Sequence, residues 1–93
     1  MIKSFKCSET ERIFQRERSR KFSPQIQRRA KMRLDRIEAA VEVGDLRSPP
    51  SHNLEKLSGN RKGQYSIRIN DQWRICFRWR NGNAHDVEIV DYH

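Results

Sequence analysis

Between Ser23 and Gly44 the apolar residues keep a helical period. Ile26, Ala30, Leu34, Ile37 and Val41 follow one another at spacings of four, four, three and four. This is one apolar stripe of an amphipathic helix, and its other faces carry Arg28, Arg29, Lys31, Arg33 and Arg36. Ser23-Pro24 supplies an N-cap and a proline for the first turn, and Gly44 marks the stop. Upstream, Ser8 with Glu11 has the form of a capping box. It predicts a first helix from about residue 9 to residue 18, with Ile13 and Phe14 inward. Arg16, Arg18, Arg20 and Lys21 gather near its C-terminal end, where cations suit the helix dipole. The opening "MIKSFK" reads as a short strand, although Ile2 and Phe5 alternate imperfectly.

"LRSPPSHN" breaks regular structure, because Pro49 and Pro50 cannot continue a helix. After residue 53 the period changes to two. "LEKL" is a brief strand, and "SGNRKG" is a turn flanked by glycines. "QYSIRIN" places Tyr65, Ile67 and Ile69 on one face and Gln64, Ser66, Arg68 and Asn70 on the other. "WRICFRWR" turns Trp73, Ile75, Phe77 and Trp79 inward and Arg74, Cys76, Arg78 and Arg80 outward. "NGN" at 81–83 is a hairpin signal before a last strand, "AHDVEIVDY". The order is β-α-α-β-β-β-β. The predicted class is α+β, with two N-terminal helices packed on one face of a small, mostly antiparallel sheet.

The 93 residues make one domain, spanning 1–93, with room for a single modest core. Charge changes the picture more than length does. Twenty Lys and Arg against 12 Asp and Glu give a formal charge of +8. That balance points to a polyanionic partner, nucleic acid ahead of an anionic membrane surface. No run of 18 apolar residues is present, and the start lacks a long apolar signal region. Cys7 and Cys76 are distant singles without metal-knuckle spacing, as expected of reduced thiols in a cytoplasmic protein.

The helices leave one sheet face uncovered, and that face carries Arg68, Arg74 and Arg78. Neighbouring arginines on adjacent strands repel one another. Two readings fit: a solvated polar face, or a seat for a phosphate backbone whose oxygens match arginine forks. The C-terminal "VEIVDYH" raises a related choice. Asp91, Tyr92 and His93 form either a capped strand end or one wall of a cleft. Cutting RNA without a metal needs a base for the ribose 2′-hydroxyl, a cation for the charge growing on phosphate, and an acid for the leaving 5′-oxygen. His titrates in the right range, and Tyr serves if nearby arginines lower its pKa. Asp91 would orient a side chain or hold an imidazolium.

His52, in a Pro/Ser loop, and His85, near a hairpin, lack carboxylate spacing for a metal site and are expected to be solvated. "SGNRKG" has neither the spacing nor the following helix of a P-loop. Its Arg61 and Lys62 are candidates for contact with an RNA backbone.

"MIKSF", "LSGNRKGQYSIRINDQWRICFRW" and "VEIVDYH" together resemble the HigB toxins of the RelE-like superfamily, over essentially the whole chain. The resemblance implies a ribosome-dependent endoribonuclease that cuts mRNA in the ribosomal A site, without metal or cofactor. It implies a HigA-type antitoxin with a helix-turn-helix fold, contact with DNA only through that antitoxin, and no membrane association. Arg74 matches the family's phosphate-stabilising arginine, Asp91, Tyr92 and His93 match its functional C-terminus, and Arg68 lies in the corresponding strand. The chain departs from the pattern at one place. Where many relatives read "LHPLKG" it has "LEKLSG", so Glu55 replaces a histidine and Ser58 a lysine. Glu55 then stands as a candidate base, and Lys56 and Lys62 as sources of the missing positive charge. Two rival classes keep the arginines but need no chemistry from Tyr92 or His93. One is a non-catalytic basic RNA- or DNA-binding domain, the other a corepressor that holds its antitoxin on DNA.

Overall fold

The computed structural model describes residues 1–91. Helices α1 (Ser8–Phe14) and α2 (Pro24–Ala39) precede strands β1 (Glu55–Lys56), β2 (Gln64–Arg68), β3 (Trp73–Arg80) and β4 (Asn83–Asp91). The strands form one antiparallel sheet in the order β1-β2-β3-β4. Both helices lie on one face, and the α+β class agrees with the period-2 and period-3.6 segments of the sequence.

The helices differ in how well sequence marks their ends. At the start of α2, Ser23 Oγ accepts a hydrogen bond from the Ile26 N–H at 3.2 Å, and Pro24 opens the first turn, as predicted. Its C-terminus comes early. Ala40 is extended, so Val41 falls off the apolar stripe and is 75% exposed. Asp45 fixes this exit by accepting from the Val41 and Glu42 N–H groups. α1 begins at Ser8 with Cys7 as N-cap and no side-chain cap, so the expected Ser8–Glu11 box does not form. It also stops at Phe14 rather than 18. Arg16 adopts φ 64°, its N–H donates to the Ile13 carbonyl, and the Glu17 N–H reaches the Arg12 carbonyl. This is a Schellman closure with arginine in the position glycine usually takes, so no sequence signal announced it.

The expected first strand is reduced to two isolated bridges. Ile2 and Phe5 lie parallel to β4, opposite Ala84 and Val87, at a spacing of three rather than two. The cause is a bulge in β4. Asp86 sits at φ 54°, and the pairing with β3 shifts between Cys76 and Arg78. The extra length disrupts a continuous ladder for the N-terminal segment, and Ser4 Oγ accepts from the Asp86 N–H instead.

The core joins Ile13, Phe22, Leu34 and Ile37 to Ile67, Ile75, Phe77, Val87 and Ile89, all buried. Trp73 and Trp79 pack at its margin, Trp73 edge-on to Phe22 at 5.1 Å between ring centres. Burying this one face fixes the register, and register in turn decides which side chains share the other face. Among the described residues no helix is long and apolar enough to cross a membrane.

Candidate active site

The pairing register sets the outward face row by row. Glu55 opposes Ser66, Ser66 opposes Cys76, and Cys76 opposes Glu88. In the next row Arg68 opposes Arg74, which opposes Val90. On the other side Gln64 opposes Arg78, which opposes His85. Arg68 and Arg74 therefore share a face, as the alternation predicted, and the register adds Glu55 to it.

Arg74 corrects the expectation of a solvent-exposed row. It is outward-facing yet only 6% exposed. Nε donates to Ser66 Oγ at 2.8 Å, and Nη2 donates to the Asn53 carbonyl at 2.7 Å and the Ser66 carbonyl at 3.3 Å. Nη1 lies 4.0 Å from the Glu55 carboxylate. Local geometry explains the enclosure. Pro50–His52 forms a single 3₁₀ turn, and Asn53 ends it in the left-handed region at φ 46°. That reversal brings the Asn53 carbonyl and then β1 against Arg74. The guanidinium is thus oriented by neutral acceptors on two of its nitrogens while the third faces a carboxylate.

His52 makes the same turn rigid. Contrary to the solvated loop expected, it is fully buried, and Nδ1 donates to the Leu46 carbonyl at 3.1 Å. That bond fixes the neutral tautomer. Burial, with Arg33 and Arg36 nearby, lowers its pKa below the ordinary histidine value. His85 is half-buried and stays beside Arg78.

The other predicted residues divide. Arg61 lies in a 3₁₀ turn, Gly59–Arg61, and its Nη1 donates to both Glu88 Oε1 and Gln64 Oε1 at 3.1 Å. Arg68 is bonded to Asp71, while its own carbonyl accepts from Arg33 Nε on α2. Arg78 lies 3.8 Å from Asp86 and against Gly63, whose φ of 90° only glycine adopts freely. Lys56 pairs with Tyr65, a position of the opposite pleat, and is exposed; Lys62 is exposed at the end of the turn. A cavity of about 270 Å³ lies between Glu55, Lys56, Ser58, Asn60 and Arg61. Asp91 pairs with Trp73, one residue from Arg74 along the sheet but in the other pleat, and accepts from Gln72 Nε2 at 3.2 Å. Tyr92 and His93 lie outside the described residues.

Each of the four face arginines thus has a carboxylate beside it: Arg61 with Glu88, Arg68 with Asp71, Arg74 with Glu55, and Arg78 with Asp86. A phosphate would enter by competing with these anions. Sequence reasoning overlooked Ser66, Glu88 and the Asn53 carbonyl. Ser66 and Glu88 stood at outward strand positions, whereas nothing in the sequence marked Asn53. Among the described residues no group of three or more His, Cys, Asp or Glu is arranged to hold a metal ion.

This architecture recurs in solved structures. The YoeB–YefM toxin–antitoxin heterotetramer from Staphylococcus aureus matches with a TM-score of 0.63 at 20% identity, covering 100% of this chain and 98% of that one. The YoeB dimer from the same organism gives 0.60 at 21% identity, covering 99% and 97%. In sequence the chain is 36% identical to "Endoribonuclease HigB" of Proteus vulgaris over the full length of both. It is also 36% identical to "Toxin HigB-1" of Vibrio cholerae, over 90% of each. The family model described as "RelE-like toxin of type II toxin-antitoxin system HigB" matches residues 3–93, and the chain belongs to that family.

Proposed function

We propose that this chain is a ribosome-dependent endoribonuclease that cuts mRNA in the ribosomal A site, acting in the cytoplasm and neutralised by a HigA-type helix-turn-helix antitoxin. Any contact with DNA runs through that antitoxin. The observation that carries the reading is Arg74, buried, held by Ser66 and Asn53, and facing Glu55 at 4.0 Å. A cation fixed before substrate arrives stabilises charge on a scissile phosphate without reorganising during the reaction. The family relation to a named endoribonuclease supports the same chemistry.

In this mechanism the RNA phosphate sits against Arg74. Glu55, 43% exposed at the cavity edge, takes the proton from the 2′-hydroxyl. The oxygen then attacks the adjacent phosphorus, and the 5′-oxygen leaves with a proton from Tyr92 or His93. Asp91 orients that terminus. Arg68, Lys56, Arg61 and Lys62 contribute backbone contacts. No step draws on a metal or cofactor.

The test has two parts. Induction of the chain alone in bacteria should arrest growth and deplete translated mRNA, and co-expression of the antitoxin should restore growth. Purified chain should cleave mRNA on programmed ribosomes far faster than the same RNA free in solution. Soluble protein without effect on growth overturns the toxin reading, and equal cleavage of free RNA overturns the ribosome requirement.

A further inference from the structure

Glu88 has no place in the mechanism above, yet it stands at the centre of the arginine face. It projects from β4 opposite Cys76, accepts from Arg61 Nη1 at 3.1 Å, and lies 4.0 Å from Lys6 Nζ. Its side chain is only 17% exposed, against 36% for Arg61. Arg61 spends one nitrogen on this anchorage, because Nη1 also serves Gln64 Oε1 at 3.1 Å. Its Nε and Nη2 have no protein acceptor among the described residues. The ion pair therefore fixes the side chain and leaves the rest of the fork available to an oxyanion.

The location matters as much as the geometry. Arg61 is tied to Gln64, and Arg74 to Ser66, two residues further along β2 on the same face. Two strand residues span about 7 Å, a step comparable with that between successive phosphates of an RNA strand. Cys76 lies in the same row, between Ser66, which holds Arg74, and Glu88, which holds Arg61. An unanchored arginine on a turn would lose much rotamer freedom on meeting RNA, whereas an anchored one has lost it already.

We propose that Glu88 is a positioning residue that holds Arg61 beside Arg74, so that Arg61 takes the phosphate next to the one being cut. The proposal rests on the endoribonuclease reading. It predicts a split between affinity and rate. Glu88→Ala raises the half-saturating concentration of programmed ribosomes about tenfold, the upper range for ordering one rotamer-rich side chain. Its maximal single-turnover rate stays within about twofold of the parent, since Arg74 is untouched. Arg61→Ala behaves alike, and the double variant is no worse than Arg61→Ala alone, because the two residues act as one unit. Glu88→Gln keeps the acceptor oxygen without the charge and restores parental affinity.

Glu88→Ala with parental affinity overturns the inference, as does a double variant whose defects multiply. A loss of maximal rate together with melting temperature marks Glu88 as structural and likewise overturns it. If Glu88→Ala does not fold, Arg61→Lys replaces it. Lysine keeps the charge but cannot bond Glu88 and present a fork, so the same tenfold rise is expected, and parental affinity refutes the idea. Failure of the underlying reading looks different: the parent does not cleave, or Arg74→Lys cleaves at the parental rate.

Discussion

Arg74 offers the sharpest perturbation because stability and chemistry can be read separately from it. Arg74→Ala removes the donors of the Ser66 hydroxyl, the Ser66 carbonyl and the Asn53 carbonyl, in a site only 6% exposed. Each buried acceptor left without a donor costs on the order of 1 kcal/mol or more, so the total is about 3 kcal/mol. For a domain of this size that lowers the melting temperature by about 12 to 24 °C. It is a large share of the ~5–15 kcal/mol that holds a small domain together. The outward position in the sequence pattern predicted no such penalty; the enclosing Asn53 turn creates it. Arg74→Lys is the milder change. It keeps the charge and one donor to a backbone carbonyl but loses the planar fork, and it should cost about 1 to 2 kcal/mol.

On the rate side, losing a preorganised donor at a developing oxyanion costs about a hundredfold or more. Arg74→Ala should therefore cut single-turnover cleavage on programmed ribosomes at least about a hundredfold. Arg74→Lys should fall between it and the parent. Urea unfolding measures the first effect and quenched-flow cleavage the second. A lysine variant that melts several degrees lower yet cleaves at the parental rate would show that Arg74 is a strut. A variant with unchanged melting and a lost rate would refute the buried hydrogen-bond account.

Glu55→Gln preserves shape beside Arg74 and removes the proposed base, so the cleavage rate should drop about a hundredfold or more with melting unchanged; a parental rate assigns proton abstraction elsewhere. Tyr92→Phe and deletion of His93 should each leave stability within about 1 kcal/mol while lowering the cleavage rate at least tenfold, and rates within twofold of the parent would make the terminus a strand end. Gly63→Ala should destabilise by about 1 kcal/mol or more, since φ is 90° and a methyl group would approach Arg78 Nη1 to 3.0 Å; unchanged urea unfolding would contradict that strain. His52 is held neutral by burial, so the unfolded chain binds its proton more readily; stability should be complete above about pH 6.5 and fall as pH drops below it, and a His52→Asn variant should lose that slope.

The parts of this molecule that were legible in sequence are those governed by period and by side-chain caps. The α2 stripe, the Ser23-Pro24 start and the alternation of β2 and β3 all rest on one buried face, and one buried face leaves a pattern. The strand register then placed Arg68 and Arg74 together, as alternation had indicated, and brought Glu55 to the same face, which alternation had not. What escaped notice was set by backbone conformations at residues that do not require them. Arg16 closes α1, Asn53 turns the chain onto Arg74, and Asp86 breaks the ladder, all at positive φ without glycine. Polar contacts between distant segments were equally silent. His52 reads as a loop histidine until the Leu46 carbonyl is seen beside it, and Arg61 reads as a loose turn cation until Glu88 is found beneath it.

That last contrast separates two uses of positive charge. A formal charge of +8 implied a polyanion, but the four arginines of the open face carry little net charge locally, because Glu88, Asp71, Glu55 and Asp86 lie against them. The excess resides elsewhere, on exposed Arg16, Arg18, Arg20, Lys21 and Arg28 around the α1–α2 connection. Exposed charges act over about a Debye length and are screened by salt, so they govern encounter with a polyanionic particle. Arg74 alone of the four is enclosed, so its contacts act over a bond length and are little affected by salt, as the proposed role at a phosphate requires. The composition of this chain therefore reports its approach to a polyanionic partner, whereas the chemistry proposed for Arg74 depends on a pairing that the composition cannot show.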